Sequence, residues 1–138
     1  MAQGRRYNKS YADRIMREAF VKEVGAYLDY LISENYISPT QILEDFGVAY
    51  DTTKSFRLGL PSISFDTTRL FCYIFAYYME SIFKSVDESN DFKGGHDVKV
   101  KFKNELMEKF RSFYGIQADF ALELINKGID LRQVVKHQ

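Results

Sequence analysis

The chain has 138 residues, and 46% of them are hydrophobic. That is enough for one well-buried core and argues against a disordered polymer. The 19 basic and 19 acidic residues leave a formal net charge of +0, so global charge gives no steering toward polyanions. A single cysteine rules out an internal disulfide, and no signal-peptide pattern follows Met1, so the expected setting is reducing and cytoplasmic.

Residues 1–9 read as a flexible basic arm carrying Arg5 and Arg6. Ser10 is placed to cap a helix, with Asp13 in its first turn. An apolar stripe at helical spacing follows through Tyr11, Ile15, Ala19, Val24, Leu28 and Leu31. Gly25 interrupts it, so the stripe reads as one long helix or two short ones up to about Asn35.

Ser38-Pro39 is a helix start, because Ser38 offers a capping oxygen and Pro39 needs no hydrogen-bond partner at the first helical position. The helix is expected over 39–46, with Ile42, Leu43 and Phe46 on or near its inner face. Gly47 fits a left-handed stop, and Val48 is expected to bury beneath it. A second helix is expected over 50–58. Thr53 and Phe56 face inward in this reading, leaving Tyr50, Asp51, Lys54, Ser55 and Arg57 toward the outer side. Gly59 ends this helix, and Leu60-Pro61-Ser62-Ile63 forms a loop.

Ser64 or Asp66 caps the next helix, which is apolar nearly all round between 70 and 83. Such a helix is buried on every face. One side is expected in the core and the other against a second subunit or the C-terminal segment. Phe71, Phe75, Tyr78 and Ile82 are the expected interface residues of a homodimer or of a complex with another protein. With 10 Tyr, 12 Phe and no Trp, the composition suits either a large aromatic core or an exposed aromatic interface. The apolar run at 70–79 is too short to span a bilayer, so no membrane partner is expected.

Residues 87–97, with Gly94-Gly95 inside, read as a linker between a helical domain at 10–86 and a C-terminal helical extension at 98–138. Val98, Val100 and Phe102 alternate with lysines and fit a short strand, whereas Leu106, Phe110 and Phe113 suit a helix ended by Gly115. A further helix is expected over 116–127, with Phe120, Leu124 and Ile125 inward and Gly128 as its stop. A last short helix is expected over 129–136.

The residues Ile42, Phe46-Gly47-Val48, Thr52, Phe56, Gly59, Pro61-Ser62-Ile63 and Leu70 carry a resemblance. Residues 26–78 resemble the lambda-repressor-like (Cro and XRE-type) helix-turn-helix domains, with no insertion between Phe46 and Gly59. The chain differs from the family's usual pattern at Pro39, Leu43, Ala49 and Thr53, where Gln, Ala, Ser and Val or Ile commonly stand. The resemblance implies an all-α, lambda-repressor-like bundle whose helix at 50–58 enters the major groove of duplex DNA as part of a dimeric regulator of transcription. It implies base-edge or phosphate contacts from Tyr50, Thr52, Lys54 and Ser55, with Arg57 and Arg69 nearer the backbone. Arg5 and Arg6 on the arm would track a groove. The acidic residues Glu44, Asp45 and Asp51 lie on the side that would approach phosphates. They favour a second reading, in which the fold serves as a protein-interaction or assembly module.

No catalytic constellation can be assembled from the sequence. Cys72 lies between Phe71 and Tyr73 with nothing basic beside it and reads as a buried thiol. His96 and His137 are isolated, so no metal site is expected. Asp87, Glu88 and Asp91 lack the calcium-loop pattern, and no Gly-Lys-Ser or Gly-Lys-Thr follows Gly94-Gly95. The expectation is a non-enzymatic protein without a cofactor.

Overall fold

The computed structural model describes residues 9–136. The protein is all-α, with seven helices and no strand among the described residues. In chain order they are α1 (Lys9–Ser33), α2 (Pro39–Phe46), α3 (Tyr50–Arg57), α4 (Phe65–Glu88), α5 (His96–Tyr114), α6 (Ile116–Asn126) and α7 (Leu131–Lys136). No helix among them is long and apolar enough to cross a membrane. The basic arm expected over residues 1–9, including Arg5 and Arg6, lies outside the described residues except at Lys9, where α1 begins.

Local chemistry sets the helix boundaries. α1 runs unbroken through Gly25, and Ser10 lies within the helix rather than at a cap. Asn35, at φ 63°, turns the chain out of α1. A reciprocal capping box opens α2. The Gln41 backbone N–H donates to Ser38 Oγ at 3.1 Å, and the Ser38 N–H donates to Gln41 Oε1 at 3.0 Å. Gly47 closes α2 at φ 71°, donating its N–H to the Leu43 carbonyl. Ser64, not Asp66, caps α4 by accepting the Thr67 N–H at 3.0 Å.

α4 is the axis of the molecule, with α1, α5, α6 and α7 packed around it. Phe75, fully buried on α4, is ringed by aromatics from α1, from α5 and from the preceding turn of α4 itself. Its centroid lies 5.0 Å from Tyr27, 5.8 Å from Phe71, 6.5 Å from Phe110 and 6.2 Å from Tyr114. Edge-on and tilted geometries dominate, as the ring quadrupoles favour. Two buried hydroxyls tie α5 to the N-terminal half, one to α1 and one to α4. Tyr27 Oη donates to the Leu106 carbonyl at 3.3 Å, and Tyr114 Oη donates to the Thr68 carbonyl at 2.6 Å.

One continuous core therefore runs from Val21 to Leu131, and the C-terminal segment completes it. Phe71, Phe75, Tyr78 and Ile82, expected at an intersubunit interface, are all buried within the single chain. The cover comes from the chain's own helices: Phe56 of α3 lies against Phe71, Phe46 of α2 against Tyr78, and Phe110 and Tyr114 of α5 against Phe75.

Three further expectations are corrected. Val98, Val100 and Phe102 belong to helix α5 and not to a strand. Their alternation with lysine has a helical cause. Lys99 and Lys103, one turn apart, both reach Asp87 near the end of α4, with Nζ 2.7 Å from its carbonyl and 2.7 Å from its Oδ1 respectively. Leu43 is exposed on α2, whose inner positions are Ile42 and Phe46. Phe120 is exposed on α6, which buries Ala118 and Ala121 instead and so lies close to its neighbours.

Candidate nucleic-acid interface

α2, the Gly47 turn and α3 form a compact pair of short helices seated on α1 and α4. The seat begins with Phe56, fully buried in α3, whose ring lies 4.8 Å from Phe71 of α4. Thr53, one turn earlier, is also fully buried. Val48 is buried beneath the turn. Backbone contact completes the seat. A Cβ built on Gly25 of α1 would stand 2.1 Å from the Phe56 carbonyl oxygen, so only glycine lets α1 and α3 approach this closely. Gly59, at φ 65°, turns the chain over Lys22 immediately after α3.

With Thr53 and Phe56 pointing in, helical geometry leaves Lys54 on the outer side and Tyr50 at the flank. Both are exposed, as is Asp51, while Thr52 and Ser55 are half-buried at the edges of the same face. Tyr50 Oη lies 3.2 Å from Thr40 Oγ1, a hydrogen bond that links the starts of α3 and α2. Arg57 is half-buried and turned sideways, its Nε donating to Asp29 Oδ1 of α1 at 2.9 Å. Its charge is thus spent holding α3 on α1. Lys54 makes no ion pair among the described residues. Arg69 is exposed on α4.

Tyr50 and Lys54 are thus exposed on α3 with Thr52 and Ser55 half-buried at its two flanks, and the ion pair with Asp29 turns Arg57 away from them. Sequence reasoning missed Leu58, which is 61% exposed and extends the Tyr50–Lys54 line by one more turn. The four-residue spacing of 50, 54 and 58 was its signal. It also missed the Arg57–Asp29 pair, for which residues 28 apart offer no local cue.

The acidic residues of α2 divide. Glu44 is exposed, while Asp45 is half-buried and engaged. Tyr78 Oη donates to Asp45 Oδ2 at 2.6 Å, and Arg132 of α7 stands 3.8 Å from its other oxygen. Burial, and then the hydrogen bond to Asp45, push the Tyr78 phenol well above its ordinary range. Arg132 also clasps Asp130 at 2.8 Å and lies over the Tyr77 ring, 5.2 Å from its centroid. Its hydrogen bonds hold the Asp130 carboxyl below its ordinary range.

Cys72 is fully buried, and burial pushes its thiol up to about 12, far from nucleophilic chemistry at neutral pH. His96 opens α5 in the open, and no group of three or more His, Cys, Asp or Glu gathers into a metal-binding set among the described residues. Compared with known proteins, the chain matches no family model, no curated protein and no solved structure.

Proposed function

We propose that the protein is a non-enzymatic DNA-binding regulator that presents α3 to the major groove of duplex DNA in the manner of a lambda-repressor-like helix-turn-helix. The observation that carries this reading is the division of α3. Thr53 and Phe56 fix it from within, while Tyr50 and Lys54 stand exposed beyond a left-handed turn at Gly47. A helix held this way is rigid enough to read base edges and free enough to reach them. Lys54 takes a guanine edge or a phosphate, Thr52 and Ser55 hydrogen-bond at the groove wall, and Tyr50 packs on a thymine methyl. Arg57 positions α3 through Asp29 and makes no base contact.

The test is equilibrium binding of the purified chain to duplex DNA across a salt series. Affinity is expected to fall steeply with salt, because phosphate contacts release counterions. Lys54→Glu is expected to abolish binding with no loss of helix content. Absent or salt-independent binding overturns the reading.

A second reading is favoured by one specific observation. Leu43, Tyr50, Leu58 and Leu60 are all exposed around α3, beside Glu44 and Asp51. That surface also suits a protein partner. Under this reading the fold is an assembly module, DNA binding is absent, and Leu58→Asp rather than Lys54→Glu disrupts the complex.

A further inference from the structure

α1 begins well before it reaches the core. Every residue from Asp13 to Ala19 is exposed, and the helix first engages the body at Phe20. The Phe20 ring lies 5.6 Å from Phe65 and 5.9 Å from Tyr114. An uncovered helical segment of about two turns is marginal in water on its own. Beneath this overhang is a corner of about 740 Å³ lined by Asp13, Arg14, Met16, Arg17, Phe20 and Phe65. Its apolar walls are open to solvent, with Met16 69% and Phe65 43% exposed. Its rim carries both signs of charge. Asp13 and Arg17 stand one turn apart, and among the described residues neither makes an ion pair.

A surface that is apolar at its centre and sets an acid, Asp13, one turn before a base, Arg17, with Arg14 as a second base at its rim, can meet its own copy under two-fold rotation with acid opposite base. We infer that a second copy of this chain fills the corner. The two α1 overhangs lie antiparallel about a two-fold axis at the level of Ile15. That axis sets Asp13 of each copy opposite Arg17 of the other, giving two reciprocal ion pairs. It brings the two Met16 side chains together near the axis, and the first turn of each helix abuts Phe20 and Phe65 of the other copy. Charge also fixes the register. Moving the axis midway between Ile15 and Met16 would set Asp13 opposite Glu18 and Arg14 opposite Arg17, like against like. The overhangs are of equal length by symmetry, so each fills the space that the other leaves. This interface replaces the aromatic helix as the site of dimerisation, and it holds whether or not α3 meets DNA.

The experiment is sedimentation equilibrium on the full chain, with circular dichroism as a check on folding. The unaltered protein is expected to be a dimer. Met16→Glu places a charge at the axis, and Asp13→Arg sets Arg against Arg17. Each is expected to raise the dimer dissociation constant about tenfold or more. The double variant Asp13→Arg/Arg17→Asp reverses both partners and is expected to recover most of the lost affinity. All these positions are exposed, so the fold is expected to survive each change. A monomeric parent chain overturns the inference, as does a dimer indifferent to Met16→Glu or a double variant no tighter than Asp13→Arg alone.

Discussion

Thr53 shows how one atom can be at odds with its place. Its side chain is fully buried on the inner face of α3, yet Oγ1 has no hydrogen-bond partner among the described residues. A buried hydroxyl that gives up water and gains nothing lowers stability. Valine has nearly the same shape without the polar atom, and Val or Ile is the residue that the helix-turn-helix resemblance implies at this position. Thr53→Val is therefore expected to raise unfolding stability by about 1 kcal/mol. Urea denaturation checks this, as a higher midpoint with an unchanged slope. Because Thr53 points away from the Tyr50–Lys54 surface, any DNA affinity is expected to remain as it was. A lower midpoint would mean that the hydroxyl finds a partner in solution.

The α1–α3 crossing belongs to the scale of elements. Here two backbones meet with no side chain between them, since a Cβ on Gly25 would reach to 2.1 Å from the Phe56 carbonyl oxygen. Backbone cannot yield as a flexible side chain can. Gly25→Ala is expected to destabilise the fold by about 1–3 kcal/mol despite the higher helix propensity of alanine. Thermal unfolding measures the loss. Gly25 also marks the boundary of what the sequence made legible. The ends of α2 and the start of α3 could be read because their causes are local: Ser38 caps, Gly47 turns, and Thr53 and Phe56 repeat at helical spacing. The role of Gly25 could not, because it depends on a carbonyl 31 positions away. The same distinction explains the false strand at Val98–Val100–Phe102, where lysine alternation reflects two contacts with Asp87 across a loop. It explains Phe120 too: alanines, which carry little hydrophobic signal, occupy the inner face of α6. The candidate DNA surface was legible as far as helical spacing reached, through Tyr50 and Lys54. It failed at Arg57, whose partner lies on another helix.

Across the whole molecule, the C-terminal helices enclose α4, and the enclosure carries phenols inward with it. Tyr27 of α1, Tyr78 of α4 and Tyr114 of α5 are all buried, and each donates its hydroxyl proton to an oxygen on another element. Burial raises the pKa of all three above the ordinary 10.0. The folded state thus favours the protonated phenol, while the unfolded chain ionises near 10. Stability from these groups is fully present below that pH and declines as pH rises above it, because unfolding then releases protons. Each tyrosine that stays protonated in the fold steepens the decline by up to about 1.4 kcal/mol per pH unit. Denaturant midpoints are expected to be insensitive to the tyrosines below about pH 10 and to fall sharply above it. Tyrosinate absorbance from the buried phenols is expected to appear together with loss of the helical circular-dichroism signal, as one cooperative step. If those phenols instead ionised gradually while the helices persisted, the C-terminal helices would be opening separately from α4. The single core described for Val21 to Leu131 would then have to be divided at the α4–α5 contact.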